Sequence, residues 1–285
     1  MTRQFRHVML LGAMMLGSSA ARMDAKEEKL KLEELVAKHL ASIGTPEALA
    51  AARSRTIAGT AQVIFRIGGQ GLLNGKGSVV SEGRKYFIGM DFGILNYPAD
   101  DLAFDGENLT VNNIKPGRRT NLGDFVYQHD VLLKEGLLGG TMTTAWPLLD
   151  LASRQPKMNY AGLKKFEGRS LHELRYRAKK GGGDLQASLY FDPETFRHVG
   201  SRYRLVVPST MGANPADSAN QRETVYTLEE QFGNFTAVDS LTLPHFYKLI
   251  MTMEGMSGSL LTEWNLQAEK VSQNQQVDPG TFAVK

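Results

Sequence analysis

The side chains able to do acid–base, nucleophilic or metal chemistry are few in this chain and poorly spaced for it. Beyond the first twenty residues the histidines are His39, His129, His172, His198 and His245. No two stand at His-x-His or His-x-x-x-His spacing, which would set two ring nitrogens on one face for a metal. His129-Asp130 and His172-Glu173 are neighbours, so on a strand each pair diverges to opposite faces. Surface or turn histidines are therefore expected. Gly255-Met256-Ser257-Gly258-Ser259 comes nearest to a nucleophile elbow, but its fifth residue is Ser and β patterns lie on both sides. The elbow needs a strand and then a helix, so a hairpin loop is predicted. Gly181-Gly182-Gly183 has no following Lys-Ser/Thr and no helix start, as a phosphate cradle would, and reads as a flexible turn. Carboxylate pairs for glycoside hydrolysis meet only in three dimensions, so spacing among 30 acidic residues selects none. Cysteine is absent, which excludes disulfides, thiol catalysis, cysteine zinc sites and lipid attachment through an N-terminal Cys. Neither a catalytic residue, a metal site nor a cofactor is assigned, and a non-enzymatic role is expected.

Charge narrows the partners. The net charge is +3, and Arg3 and Arg6 fall in a leader, leaving the remainder close to neutral. No case for a nucleic-acid partner follows. Apolar residues at 42% and charged residues at 22% are ordinary values for a chain with a packed core.

The elements that would position a site are mostly strands. Met1 to Ala21 reads as a secretory signal peptide: a basic start, the apolar run Val8–Leu16, then Gly17-Ser18-Ser19-Ala20-Ala21 for cleavage. Nine apolar residues are too short to cross a bilayer, which takes roughly 20. The mature chain, 22–285, is predicted to be one periplasmic, monomeric domain without a transmembrane segment. Leu32, Leu35, Val36, Leu40 and Ile43 mark a helix over 26–43, and Thr45-Pro46-Glu47 caps a short second helix to about Arg53.

From Thr56 the period becomes two. Strands are expected over 56–67, 77–82, 84–92, 102–104 and 109–114, the last pair flanking the turn Asp105-Gly106. Leu122 to Leu138 carries a helical stripe and interrupts them, with further helical turns over 144–151. Four more strands fill Lys157 to Val207, turning at Glu167-Gly168, at 180–184 and at Asp192-Pro193. Leu185, Ala187, Leu189 and Phe191 share their apolar side. A loop over 208–221 precedes strands at 223–232, 243–254 and 259–271, and a tail that tucks in Phe282.

This order of leader, amphipathic helix, strands, helical insertion, strands and Asp-Pro-x-x-Phe tail resembles the LolA/LolB-like family of periplasmic lipoprotein carriers. The residues carrying the resemblance are Leu30 to Ile43, Thr56 to Phe92, Leu102 to Glu107, Asp192-Pro193-Glu194 and Asp278-Pro279-Gly280-Thr281-Phe282. It implies a mainly antiparallel β fold: a large curved sheet or unclosed β-barrel, with N-terminal and inserted helices packed on the concave face. It also implies non-enzymatic transport of a lipid or lipoprotein acyl chain in outer-membrane biogenesis. The chain departs from the pattern in its greater length and larger insertion, and position identifies no arginine for the lid-holding role such carriers use.

The apolar strand faces supply the candidate site. Phe65, Ile67, Tyr86, Ile88, Met90, Phe92, Leu189, Phe191, Tyr247, Leu249, Met251, Trp264 and Leu266 are expected to converge on one interior. A ligand-lined cavity and a filled core both fit that list. The alternatives to a carrier are an envelope scaffold or sensor docking another protein, and an envelope hydrolase.

Overall fold

A computed structural model describes residues 30–209, 223–255 and 258–284. The leader, most of the 208–221 loop and the first residues of the predicted opening helix lie outside them. Helix α1, Leu32–Ile43, buries Leu35, Val36, His39 and Ile43. Helix α2, Pro46–Ala51, starts as predicted, with the Thr45 hydroxyl accepting from the Ala48 N–H.

Twelve strands follow: β1 Ser54–Ile67, β2 Gly71–Glu82, β3 Lys85–Ile94, β4 Tyr97–Phe104, β5 Leu109–Val111, β6 Lys157–Phe166, β7 Arg169–Arg177, β8 Gln186–Phe191, β9 His198–Val207, β10 Thr224–Val238, β11 Leu241–Gly255 and β12 Gly258–Gln273. They form one antiparallel sheet in the order β5-β4-β3-β2-β1-β12-β11-β10-β9-β8-β7-β6. Two meanders are thus zipped together by β1 and β12, from Arg55 opposite Gln273 to Ile67 opposite Leu261. The edges β5 and β6 stay unpaired with each other, so the barrel is open.

Hydrogen bonds across the inner face show how strongly the sheet curves. Trp264 on β12 donates its indole N–H to Asp100 on β4 at 2.8 Å, although three strands lie between them. Flat neighbours spaced about 4.8 Å apart would put those strands about 19 Å from each other. The indole and carboxylate meet only because the sheet curls towards itself. The architecture is the one expected from the sequence.

The insertion differs from expectation in one respect. The stripe over 122–138 is not one helix but α3, Asn121–Gln128, and α4, Val131–Lys134, broken at His129-Asp130. Past Gly136 and Gly139, both at positive φ, the chain makes single turns at Gly140–Met142 and Pro147–Leu149, then α5, Leu151–Arg154. A side chain at Gly136 would meet the Ala145 carbonyl at 2.0 Å, so the chain must cross itself at a residue without Cβ. A continuous helix could not follow a concave wall so closely. The broken one does. Phe282 is buried at the far end, as expected.

Candidate functional site

The inner wall is apolar at its centre. Tyr86, Ile88, Met90 and Phe92 of β3, Leu189 and Phe191 of β8, Tyr247, Leu249 and Met251 of β11, and Trp264 and Leu266 of β12 are all buried in one cluster. Phe65 is partly buried, edge-on to Tyr97 at 5.3 Å between centroids. Ile67 is not part of the wall. It lies past a register shift at the β1–β2 hairpin and is half exposed. Twelve of the thirteen predicted lining residues are thus brought together, and Ile67 is corrected to the rim.

The same cluster contains Leu122, Phe125, Val126, Leu132, Leu133, Leu137, Leu138, Met142 and Trp146 of the insertion. The space the strands enclose is occupied by the chain's own leucines, with one valine, one phenylalanine, one methionine and one tryptophan.

What fastens this insertion is a set of buried polar side chains on the strands, each bonded to it. Glu230 of β10 is fully buried; its Oε1 accepts from the Gly139 N–H at 2.7 Å and from the Tyr247 hydroxyl at 2.8 Å. Its Oε2 lies 2.7 Å from the Tyr203 hydroxyl, which is also 2.9 Å from the Leu137 carbonyl. Burial pushes the Glu230 carboxyl above its ordinary range, against hydrogen bonds from Gly139, Tyr203, Tyr247 and Ser201 that pull it down. The proton count agrees. Tyr203 owns one hydrogen and faces two acceptors, so only a protonated Oε2, donating to Tyr203 while Tyr203 donates to Leu137, satisfies every contact.

Further ties surround this one. Tyr86 donates to the Leu132 carbonyl at 3.3 Å, Ser81 accepts from the Thr144 N–H at 2.9 Å, and Arg55 donates to the Thr141 carbonyl at 2.7 Å. Arg55 is buried, its Nε has no hydrogen-bond partner among the described residues, and it is pushed down to about 10 by burial. Asp100, also buried and raised by burial, takes hydrogen bonds from Thr120, Tyr97 and Trp264, holding the start of α3 to the sheet.

The histidines depart from expectation. His39 and His198 are core residues, not surface ones. His39 Nδ1 faces the Phe196 carbonyl at 3.0 Å and its Nε2 accepts the Trp146 indole N–H at 3.0 Å. Only the neutral tautomer protonated at Nδ1 fits, in keeping with burial pushing it down to about 4. A stripe that counted only aliphatic residues passed over it, although His39 stands at i+4 from Leu35.

His198 Nε2 lies 3.0 Å from the Ser201 hydroxyl, and Ser201 also bonds Glu230. This unites a Ser, a His and an acid, but in the wrong order for hydrolysis. The carboxyl touches the serine, whereas a triad needs it on the far nitrogen of the imidazole. That nitrogen, Nδ1, has no partner among the described residues, and all three groups are buried beneath Gly140 and Phe232. Among the described residues no group of three or more metal-ligating side chains is gathered.

No protein-family model and no curated protein matches the chain. Solved structures do. A DUF1329 family protein from Desulfovibrio piger is 9% identical with a TM-score of 0.44, over 88% of this chain and 96% of the other. A LolA superfamily protein from Nitrosomonas europaea is 10% identical with a TM-score of 0.43, over 88% and 97%. A domain from Vibrio parahaemolyticus described as outer membrane lipoprotein-sorting is 10% identical with a TM-score of 0.39, over 87% and 94%.

Proposed function

We propose that this chain is an exported, non-enzymatic binding protein of the cell envelope that accepts a lipid or lipoprotein acyl chain between its curved sheet and its helical insertion. The observation that carries the reading is the construction of the insertion. It fills the apolar interior with Leu132, Leu133, Leu137, Leu138, Met142 and Trp146, side chains an acyl chain can replace in kind. Its backbone is tied to the strands by a few side-chain hydrogen bonds, from Glu230, Tyr86, Ser81 and Arg55. Each such bond contributes about 1 kcal/mol net. The insertion has no long helix to unfold, and glycines at 136, 139 and 140 can turn it.

The absence of cysteine makes the test clean. Ser81→Cys with Thr144→Cys would staple the insertion to β2, where the Thr144 N–H now meets the Ser81 hydroxyl. A fluorescent fatty acyl probe should bind the reduced protein and not the oxidised one, and native mass spectrometry should find lipid on the unmodified protein. A probe that binds neither form, with no lipid retained, would reject the carrier reading.

One observation favours a second reading, a scaffold or sensor domain that docks another protein. The interior is already filled, and a filled core needs no ligand. Retention of full stability with no lipid affinity would select that role.

A further inference from the structure

One end of the sheet carries an unusual surface. Three hairpins adjacent in the sheet turn there: β3–β4, β1–β2 and β11–β12. From Phe92 to Ala99 and from Ile67 to Gly75 the sequence bears no charge. Among the described residues, these tips hold four of the eight large apolar side chains that the fold leaves exposed: Leu95 at 90%, Ile67 at 49%, Leu72 at 46% and Ile94 at 42%. Val207, at the end of β9 on the same rim, is 42% exposed.

Further round that rim the character becomes basic. The rim ends of β6 and β7 and the turn after them carry Lys157, Arg175, Arg177, Lys179 and Lys180, while Lys164, Lys165 and Arg169 lie towards the opposite end. Lys157 pairs with Arg177 at the end of the β6–β7 ladder that lies on the apolar rim, and the β7–β8 turn with Lys179 and Lys180 continues from it. Arg204 stands at the same level, opposite Gln186. Of the charges here Glu173 is bonded to Arg175 and Ser188, while Asp91, Asp184, Glu223 and Glu254 are the acids of this end.

We infer that this rim docks on a phospholipid bilayer that carries anionic headgroups. Apolar, glycine-rich, uncharged tips can enter the interfacial layer because they bring no charge to desolvate, and neighbouring lysines and arginines meet the headgroup phosphates. Exposed apolar tips and a basic flank on one rim match the two-part chemistry of a membrane surface. This goes beyond the acyl-binding reading and does not depend on it.

Sedimentation with vesicles tests the inference, using the chain from residue 22 on, which retains every element described above. Vesicles of phosphatidylcholine alone and of phosphatidylcholine with phosphatidylglycerol are compared. Wild-type protein should bind the second more strongly, and salt should erase the difference. Ile94→Ser with Leu95→Ser should weaken binding to both compositions. Lys179→Gln with Lys180→Gln should weaken only binding to anionic vesicles, by about fivefold per lysine. Lys164→Gln with Lys165→Gln changes net charge equally at the opposite end of β6 and should leave binding intact. Thermal midpoints of all variants should match wild type, because these side chains are exposed. Wild-type protein that stays in the supernatant with both compositions overturns the inference. So does an equal loss from the 164/165 and 179/180 pairs, which would make the attraction one of net charge. Acyl-probe binding reads the interior and vesicle binding reads the rim, so the two proposals fail separately.

Discussion

Replacing Glu230 by Gln tests the central tie of the insertion at its most specific point. If the acid is held neutral, Gln is close to a copy of it. The amide oxygen keeps the Gly139 N–H and the Tyr247 hydroxyl, and the amide N–H donates to Tyr203 as the carboxyl proton did. Stability at neutral pH should then be unchanged or slightly raised, within about 1 kcal/mol. Glu230→Ala is the contrast, since it leaves the Gly139 N–H and two tyrosine hydroxyls facing a void. At roughly 1–3 kcal/mol for each unsatisfied buried group, the loss should be on the order of 3–9 kcal/mol.

The sign of the pH dependence separates the mechanisms. A carboxyl raised in the folded state binds its proton more tightly there than in the unfolded chain. Its stabilising effect is full below the ordinary glutamate pKa of 4.5 and is lost as pH rises through the folded value. Wild type should therefore lose stability relative to Glu230→Gln as pH climbs above about 4.5. Chemical denaturation of both proteins across the pH range measures the difference. If wild type instead gains on the glutamine variant with rising pH, Glu230 is an ionised acceptor, and the proton assignment made from Tyr203 is wrong.

Other perturbations have equally definite outcomes. His39, held neutral and pushed down to about 4, should make stability fall as pH drops from about 6.5 through 4, by about 3 kcal/mol in all; a His39→Gln variant should flatten that limb in denaturant titrations. Arg55→Met removes a buried cation and its bond to Thr141, so global stability should hold within about 1 kcal/mol. Amide exchange over 139–143, followed by mass spectrometry, should nevertheless quicken. Gly200→Ala would put a Cβ 2.4 Å from the Phe166 ring and 2.8 Å from the Glu230 carbonyl, and should cost about 1–3 kcal/mol, read as a lower melting midpoint.

The strands and the apolar wall were legible in the sequence because a period of two survives wherever one face of a sheet is buried. Ala187, Leu189 and Phe191 of β8 alternate along the strand and are all buried in the wall, although the register with β9 shifts between Tyr190 and Phe191. Ile67 also obeys the alternation, but it lies beyond a register shift and past the reach of the insertion, which periodicity cannot measure. Tyr190 alternates with Leu189 and Phe191 and so faces away from the wall, yet it is buried against Phe166 at 4.3 Å between centroids, in a small second cluster on the outer side. The polar fastenings were the least legible. Glu230 and Tyr247 sit on facing strands two residues out of register, yet the other partner of Glu230, Gly139, lies 91 residues away. Nothing in the spacing of Arg55 and Thr141 announces a bond, since only the curl of the sheet brings the insertion over β1.

That curl also sets the energetic terms on which a lipid could enter. The six large side chains that the insertion places inside are worth about 1.5–3 kcal/mol each when buried, or on the order of 9–18 kcal/mol together. An acyl chain of sixteen carbons taken from water gains about 13 kcal/mol at about 0.8 kcal/mol per methylene. The exchange is close to balance, so lifting the insertion wholly into solvent would use up what one chain returns. A chain drawn from a bilayer gains less still, because its methylenes are already out of water there. Under the carrier reading, then, the leucines of α4 must stay covered as they move aside, against the lipid itself or against the apolar rim. This is why a few weak side-chain bonds suit the insertion: with the apolar terms nearly cancelled, three or four hydrogen bonds at about 1 kcal/mol each are enough to decide whether it stays closed.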